Sequence, residues 1–125
     1  MLATIGEGDR ALDALNKSYV FYLPNTMYCE GNPASPVIET PLSVPETMHY
    51  LILQCYDDVV KVFPTVPSTW TDITFAKLLA HGAFEISGKR ESGINKYVHI
   101  ESLKGCPLKI KPNIENAVHK FSNPK

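Results

Sequence analysis

The spacing of the apolar residues changes near Pro64, and this change constrains the fold more than any other feature of the sequence. Before Pro64, apolar residues recur three or four positions apart, which is typical of one face of a helix. The first such stripe is Leu12, Leu15, Tyr19 and Tyr22. After Pro64, short runs rich in β-branched and aromatic residues alternate with turn residues, as strands do. The sequence therefore predicts an α+β chain in which two helices precede a small antiparallel β-domain.

Two helices are predicted in the first half. The first runs from Asp9, as its cap, to about Tyr22. The second begins at Ser43, and Glu46 three residues later completes a capping box. Its buried stripe consists of Met48, Leu51, Ile52 and Cys55. Residues 25–42 between the helices form a long Pro-containing stretch, and loops of that length are usually functional or disordered.

A sheet of four or five strands is predicted in the second half. The strands are expected at residues 59–63, 74–80, 83–90, 96–103 and 108–111. Residues 92–95 connect two of them as a hairpin, because Ser-Gly-Ile-Asn is typical of a tight turn. The last strand alternates Lys109 and Lys111 with apolar residues, which is typical of an exposed edge. Residues 112–125 have a weak pattern and are predicted to be a mobile tail.

The charge balance gives no reason to expect a nucleic acid or membrane partner. Twelve basic and thirteen acidic residues give a formal net charge of −1, and the basic residues are scattered except near Lys109, Lys111 and the last few positions. Nucleic-acid binding requires a concentrated basic surface, which this distribution does not predict. No apolar run approaches the length of a membrane span.

No metal or cofactor site is predicted. Cys29, Cys55 and Cys106 form no CxxC pair, and no histidine lies at ligand spacing from them. We interpret the three cysteines as free thiols, mostly buried. Trp70, the only tryptophan, is interpreted as a core residue, with a sugar-stacking surface as the alternative.

Four blocks of sequence carry a resemblance to a known family. They are LILQ at 51–54, VFPTVPSTW at 62–70, FAKLLAHGAFEI at 75–86 and IESLKG at 100–105. In order and spacing, this part of the chain resembles the end of glycoside hydrolase family 95, enzymes of the α-L-fucosidase type. The resemblance implies that residues 1–58 are the last helices and active-site loop of an α/α catalytic toroid. Residues 59–125 would then be the C-terminal antiparallel β-domain.

The resemblance also implies site residues. Counted back from Gln54, Glu39 takes the place of the family's Asp that helps to activate the hydrolytic water, while Pro41 replaces an Asn. Glu39 is therefore a candidate base or substrate contact, and the alternative is an exposed loop carboxylate or an ordinary charge at a helix N-terminus. Tyr28 and Glu30 lie in the preceding loop and are weaker candidates for lining a sugar subsite, with loop packing as their alternative.

The expected function follows from that family. The chain would be the C-terminal fragment of an inverting exo-glycosidase that binds carbohydrate together with the missing N-terminal catalytic region. It would be inactive alone, because the family's general acid lies upstream. The alternative is a non-catalytic β-module that binds carbohydrate or acts as a scaffold. The first residues show no signal peptide, so localisation stays open, although a parent enzyme of this type would be secreted or periplasmic.

Overall fold

The structure is a computed structural model that describes residues 2–18, 28–29, 36–120 and 122. Its architecture is α+β, as predicted. A 3₁₀ turn (Leu2–Ile5) precedes helix α1 (Gly8–Ser18), strands β1 (Tyr28–Cys29) and β2 (Pro36–Val37), and helix α2 (Glu39–Ile52). The remaining strands are β3 (Leu53–Tyr56), β4 (Val59–Val62), β5 (Ile73–Ala80), β6 (Phe84–Glu91), β7 (Ile94–Ser102) and β8 (Lys109–Lys111).

Helix α1 begins at Gly8, one residue before the predicted start. Asp9 does not cap the helix but connects it to the second half of the chain, since its Oδ1 accepts hydrogen bonds from the Ser68 N–H at 2.7 Å and the Ser68 hydroxyl at 2.9 Å. The predicted end of this helix, near Tyr22, lies outside the described residues.

The predicted start of the second helix at Ser43 is wrong, because α2 begins four residues earlier, at Glu39. The first four N–H groups of a helix have no partner within it, so Pro41 fits the first turn without loss of a hydrogen bond. Ser43 therefore lies inside the helix, where its carbonyl accepts the Thr47 hydroxyl at 3.0 Å.

The predicted end of this helix is also wrong. The spacing of Leu51, Ile52 and Cys55 fits a helix, but Leu53 already has extended backbone angles and begins β3. Pairing with β4 satisfies the backbone of this segment, and the Gln54 side chain donates to the carbonyl of Tyr50 at 2.8 Å, near the helix C-terminus. These contacts favour a strand over a further helical turn.

The described strands form two three-stranded sheets and the short β1-β2 pair, rather than one sheet of four or five strands. The order β5-β6-β7 is antiparallel throughout. In the other sheet, β3-β4-β8, the β4-β8 pair is parallel, which corrects the prediction of a fully antiparallel domain. Strands β3 and β4 lie on either side of the predicted domain boundary at residue 58 and share this sheet.

The β6-β7 hairpin agrees with the predicted connection, although its loop is shorter. Ser92 and Gly93 form a two-residue turn in which both φ angles are positive, at 51° and 76°. Such turns match the right-handed twist of the flanking strands. The predicted tail begins against the other sheet, since the Asn113 side chain donates to the carbonyl of Val62 at 2.8 Å. Its mobility stays a prediction.

Two groups of buried apolar residues stabilise the described part of the fold. The larger group packs side chains from both three-stranded sheets against one another: Leu53, Val60, Val62, Phe63, Phe75, Ala80, Phe84 and Ile86. The smaller group joins the 3₁₀ turn, α1 and α2 through Ala3, Ala11 and Leu51. Trp70 is half-buried and packs against this second group, so it contributes to packing, while the sugar-stacking alternative stays a prediction.

Asp72 connects the loop before β5 to the β6-β7 turn, and this contact predicts a pH dependence. Its carboxylate accepts the Thr71 hydroxyl at 2.6 Å and the Ser92 N–H at 3.1 Å. The Thr71 hydroxyl first, and then the Ser92 N–H, hold the pKa of Asp72 below its ordinary value. Because the folded state has the lower pKa, its stabilising contribution is complete at neutral pH and is lost as the pH falls through that pKa.

We therefore expect the stability difference between the wild type and Asp72→Asn to be constant above about pH 5 and to shrink below about pH 4. Urea unfolding across this range measures it. Thr71→Val removes the first of the two donors and should reproduce part of the effect. A difference that stays constant into acid would contradict this role for Asp72.

Candidate functional site

Glu39, the candidate base, is the first residue of α2 and is exposed. Its Oε2 accepts a hydrogen bond from the N–H of Ile38 at 3.1 Å. A carboxylate at this position lies at the positive end of the helix dipole, where negative side chains stabilise a helix. The side chain is therefore placed to accept a proton from a water or to bind a hydroxyl group.

The β1-β2 pair lies immediately before this helix. Tyr28 is the register partner of Val37, and Cys29 is the partner of Pro36. The backbone of Tyr28 is thus held beside the strand that leads into Glu39. Glu30, the other candidate from this loop, lies outside the described residues. Backbone pairing with Val37 therefore places Tyr28 near Glu39. The role of Tyr28 and Glu30 in a sugar subsite stays a prediction.

Ile38 and Leu42 flank Glu39 in the sequence and are both exposed apolar side chains. Together they leave apolar surface at the start of α2 that a ligand or another part of a larger assembly can contact. The sequence does not predict this surface, because its pattern places Leu42 in the loop before the helix.

The two cysteines whose side chains the structure describes differ in burial. Cys55 is half-buried and Cys106 is exposed, and both are free thiols. The prediction of mostly buried cysteines is therefore wrong for Cys106, which follows the turn at Gly105. Cys55, Cys106 and His81 line one cavity of about 640 Å³. Within the described ranges, no group of three or more His, Cys, Asp and Glu side chains could hold a metal ion.

A second cavity, of about 260 Å³, lies between the 3₁₀ turn and the outer face of the β3-β4-β8 sheet. Lys61 and Lys111 line it, together with Gln54, Thr65 and Asn113. Sequence reasoning missed this cavity, since its residues come from distant parts of the chain. The alternation of Lys109 and Lys111 was visible, but the parallel pairing that places Lys111 beside Lys61 was not predicted.

No protein-family model and no curated protein matches the chain. No helix among the described residues is long and apolar enough to cross a membrane. Any assignment of function therefore depends on the chemistry of the residues above and on the resemblance of the four sequence blocks.

Proposed function

We propose that this chain is the C-terminal part of an inverting exo-glycosidase of the family 95 type, with Glu39 at the edge of its sugar site. In this proposal α1 and α2 are the last helices of a catalytic α/α toroid, and the strands after α2 form the β-domain that follows it. The exposed position of the Glu39 carboxylate at the start of α2 is the observation that supports this function best.

The chemistry requires a pair of groups on opposite faces of the sugar. One acid protonates the leaving oxygen, and a base about 6.5–9.5 Å away activates water. Glu39 is suited to the second role, since its carboxylate is exposed at the N-terminus of α2. Its neighbours Ile38 and Leu42 are available for contact with the rest of the toroid. The general acid would come from the upstream region, so the 125 residues are expected to show no turnover by themselves.

The experiment is Glu39→Gln in the enzyme that includes the upstream region. This change keeps the shape of the side chain and removes its charge. We expect kcat to fall by about 10²–10⁴-fold, the range of general acid–base catalysis, with KM nearly unchanged. Glu46→Gln is the matched control, because Glu46 is an exposed carboxylate on the same helix. A kcat within a few-fold of the wild type for Glu39→Gln would exclude the base role.

A non-catalytic carbohydrate-binding module is the second candidate, and one observation favours it. Tyr56, an exposed aromatic residue, stacks on Tyr50 with ring centroids 6.1 Å apart. Exposed aromatic rings can pack against the apolar face of a pyranose. If this function is correct, the chain alone should bind polysaccharide, and Tyr56→Ala or Tyr97→Ala should weaken the binding while Glu39→Gln should not. Affinity electrophoresis on a panel of polysaccharides distinguishes the two candidates.

A further inference from the structure

We propose that the cavity between the 3₁₀ turn and the β3-β4-β8 sheet is a binding site for one oxyanion group: a sulfate, a phosphate or a carboxylate. The inference is independent of the glycosidase proposal, because it involves neither Glu39 nor the α2 N-terminus. We call this cavity the lysine cavity.

The floor of the lysine cavity is a polar row across three strands. Gln54 is the register partner of Lys61 in the antiparallel pair, and Lys61 is the partner of Lys111 in the parallel pair. Register partners in neighbouring strands point to the same face of a sheet and lie about 4.8 Å apart. The three side chains therefore project side by side on the face opposite Val60 and Val62, which belong to the core.

One wall of the cavity is fixed by buried hydrogen bonds. The Gln54 side chain, which is buried, donates to the carbonyl of Ala3 in the 3₁₀ turn at 2.9 Å. On the other side, Asn113 donates to the carbonyls of Val62 and Phe63 at 2.8 and 3.3 Å. These contacts hold the edges of the cavity in place before any ligand arrives, which reduces the entropy lost on binding.

The charge of the cavity is uncompensated within the described part of the chain. Lys61 and Lys111 are adjacent like charges, and such pairs are destabilising in a sheet. No carboxylate is among the described residues that line the cavity, and neither lysine takes part in a salt bridge with a described residue. An anion bound between the two ammonium groups would remove this repulsion.

Thr65 supplies an independent observation. This residue lines the cavity and is only 7% exposed, yet its hydroxyl oxygen is buried without a hydrogen-bond partner among the described residues. Buried polar groups are nearly always paired, so the hydroxyl of this lining residue is available as a donor to an acceptor bound in the cavity. An oxyanion supplies several acceptor atoms at once, for two ammonium groups and one hydroxyl.

The size of the cavity limits the occupant. About 260 Å³ accommodates one oxyanion and a few waters but not a complete sugar chain. The oxyanion can come from two sources. It is either a free inorganic anion or an anionic substituent of a sugar whose ring lies outside the cavity. The probes are therefore inorganic sulfate and glucuronate, with glucose as the neutral control.

The experiment is an NMR titration of the 125-residue chain at constant ionic strength, set with sodium chloride. We expect saturable shifts of the Thr65, Lys111 and Asn113 amides with sulfate and glucuronate, and none with glucose. Lys61→Gln and Lys111→Gln should each weaken binding by about tenfold, since each removes a hydrogen bond to a charged group. Thr65→Val should weaken it several-fold while keeping the side-chain shape.

Lys109→Gln is the matched control, because Lys109 lies on the same strand but lines the other cavity. Equal affinity for the two probes would identify a site for a free anion, and clearly tighter glucuronate binding would identify an acidic sugar. The inference is overturned if neither anion gives saturable shifts, or if Lys109→Gln weakens binding as much as Lys61→Gln does. Spectra of all variants report directly whether the fold is intact.

Discussion

Ile86→Ala should lower the free energy of unfolding by about 2–5 kcal/mol, the range for removing a large apolar side chain from a packed core. Ile86 is fully buried in β6, the central strand of its sheet, between Leu78 on β5 and Ile100 on β7. Its side chain belongs to the larger core group, in which the two sheets meet. Truncation would leave a cavity that the surrounding strands cannot close without losing their own contacts.

Urea unfolding followed by circular dichroism measures this change. Leu79→Ala is the control, since Leu79 lies on the neighbouring strand with 67% of its surface exposed. Its substitution should change stability by about 0.5 kcal/mol or less, as at most surface positions. Equal effects of the two substitutions would mean that the sheets do not pack together through Ile86.

Gly8→Ala is expected to destabilise the chain by about 1–3 kcal/mol, although alanine is ordinarily the better helix former by about 1 kcal/mol. A Cβ atom at Gly8 would meet the backbone carbonyl oxygen of Thr65 at a distance at which no two such atoms can coexist. Since the obstacle is backbone and not a flexible side chain, α1 or the loop that carries Thr65 must move. The contact of α1 with the rest of the chain should loosen.

Hydrogen exchange of the α1 amides, together with urea unfolding, tests this expectation. Asn16→Ala places the same side chain at an exposed position of α1 and should be neutral or slightly stabilising. If Gly8→Ala raised stability by a similar amount, the close approach of α1 to Thr65 would be wrong.

Local patterns predicted the elements whose structure depends mainly on neighbouring residues. The alternation in residues 83–90 and 96–103 and the Ser92–Gly93 turn give the β6-β7 hairpin with nearly the observed bounds. The stripe through Leu12 and Leu15 indicates α1 for the same reason. In both cases the local pattern and the observed secondary structure agree, because no contact with a distant residue favours another conformation.

Long-range contacts explain where the predictions failed. Leu53 and Cys55 fit either a helix stripe or a strand, and only pairing with β4 decides between them. Ser43 resembles a cap, but a first turn that tolerates Pro41 lets the helix begin at Glu39. Glu39 itself was proposed through the resemblance, and the structure adds its place at a helix N-terminus. The lysine cavity could not be predicted from local patterns, because its residues come together only when β8 pairs with β4.

The parallel β4-β8 pair has a consequence for the order in which the chain acquires its structure. Lys109 must reach Val59 after the whole β5-β6-β7 sheet has been synthesised, so one edge of β4 remains open during that interval. Closing so large a loop is slow compared with forming a hairpin, because contacts distant in sequence order more chain before they form. An open strand edge is a template for pairing with other molecules. Newly made chains therefore carry one more open strand edge until β8 docks on β4, and we expect slower docking to increase aggregation.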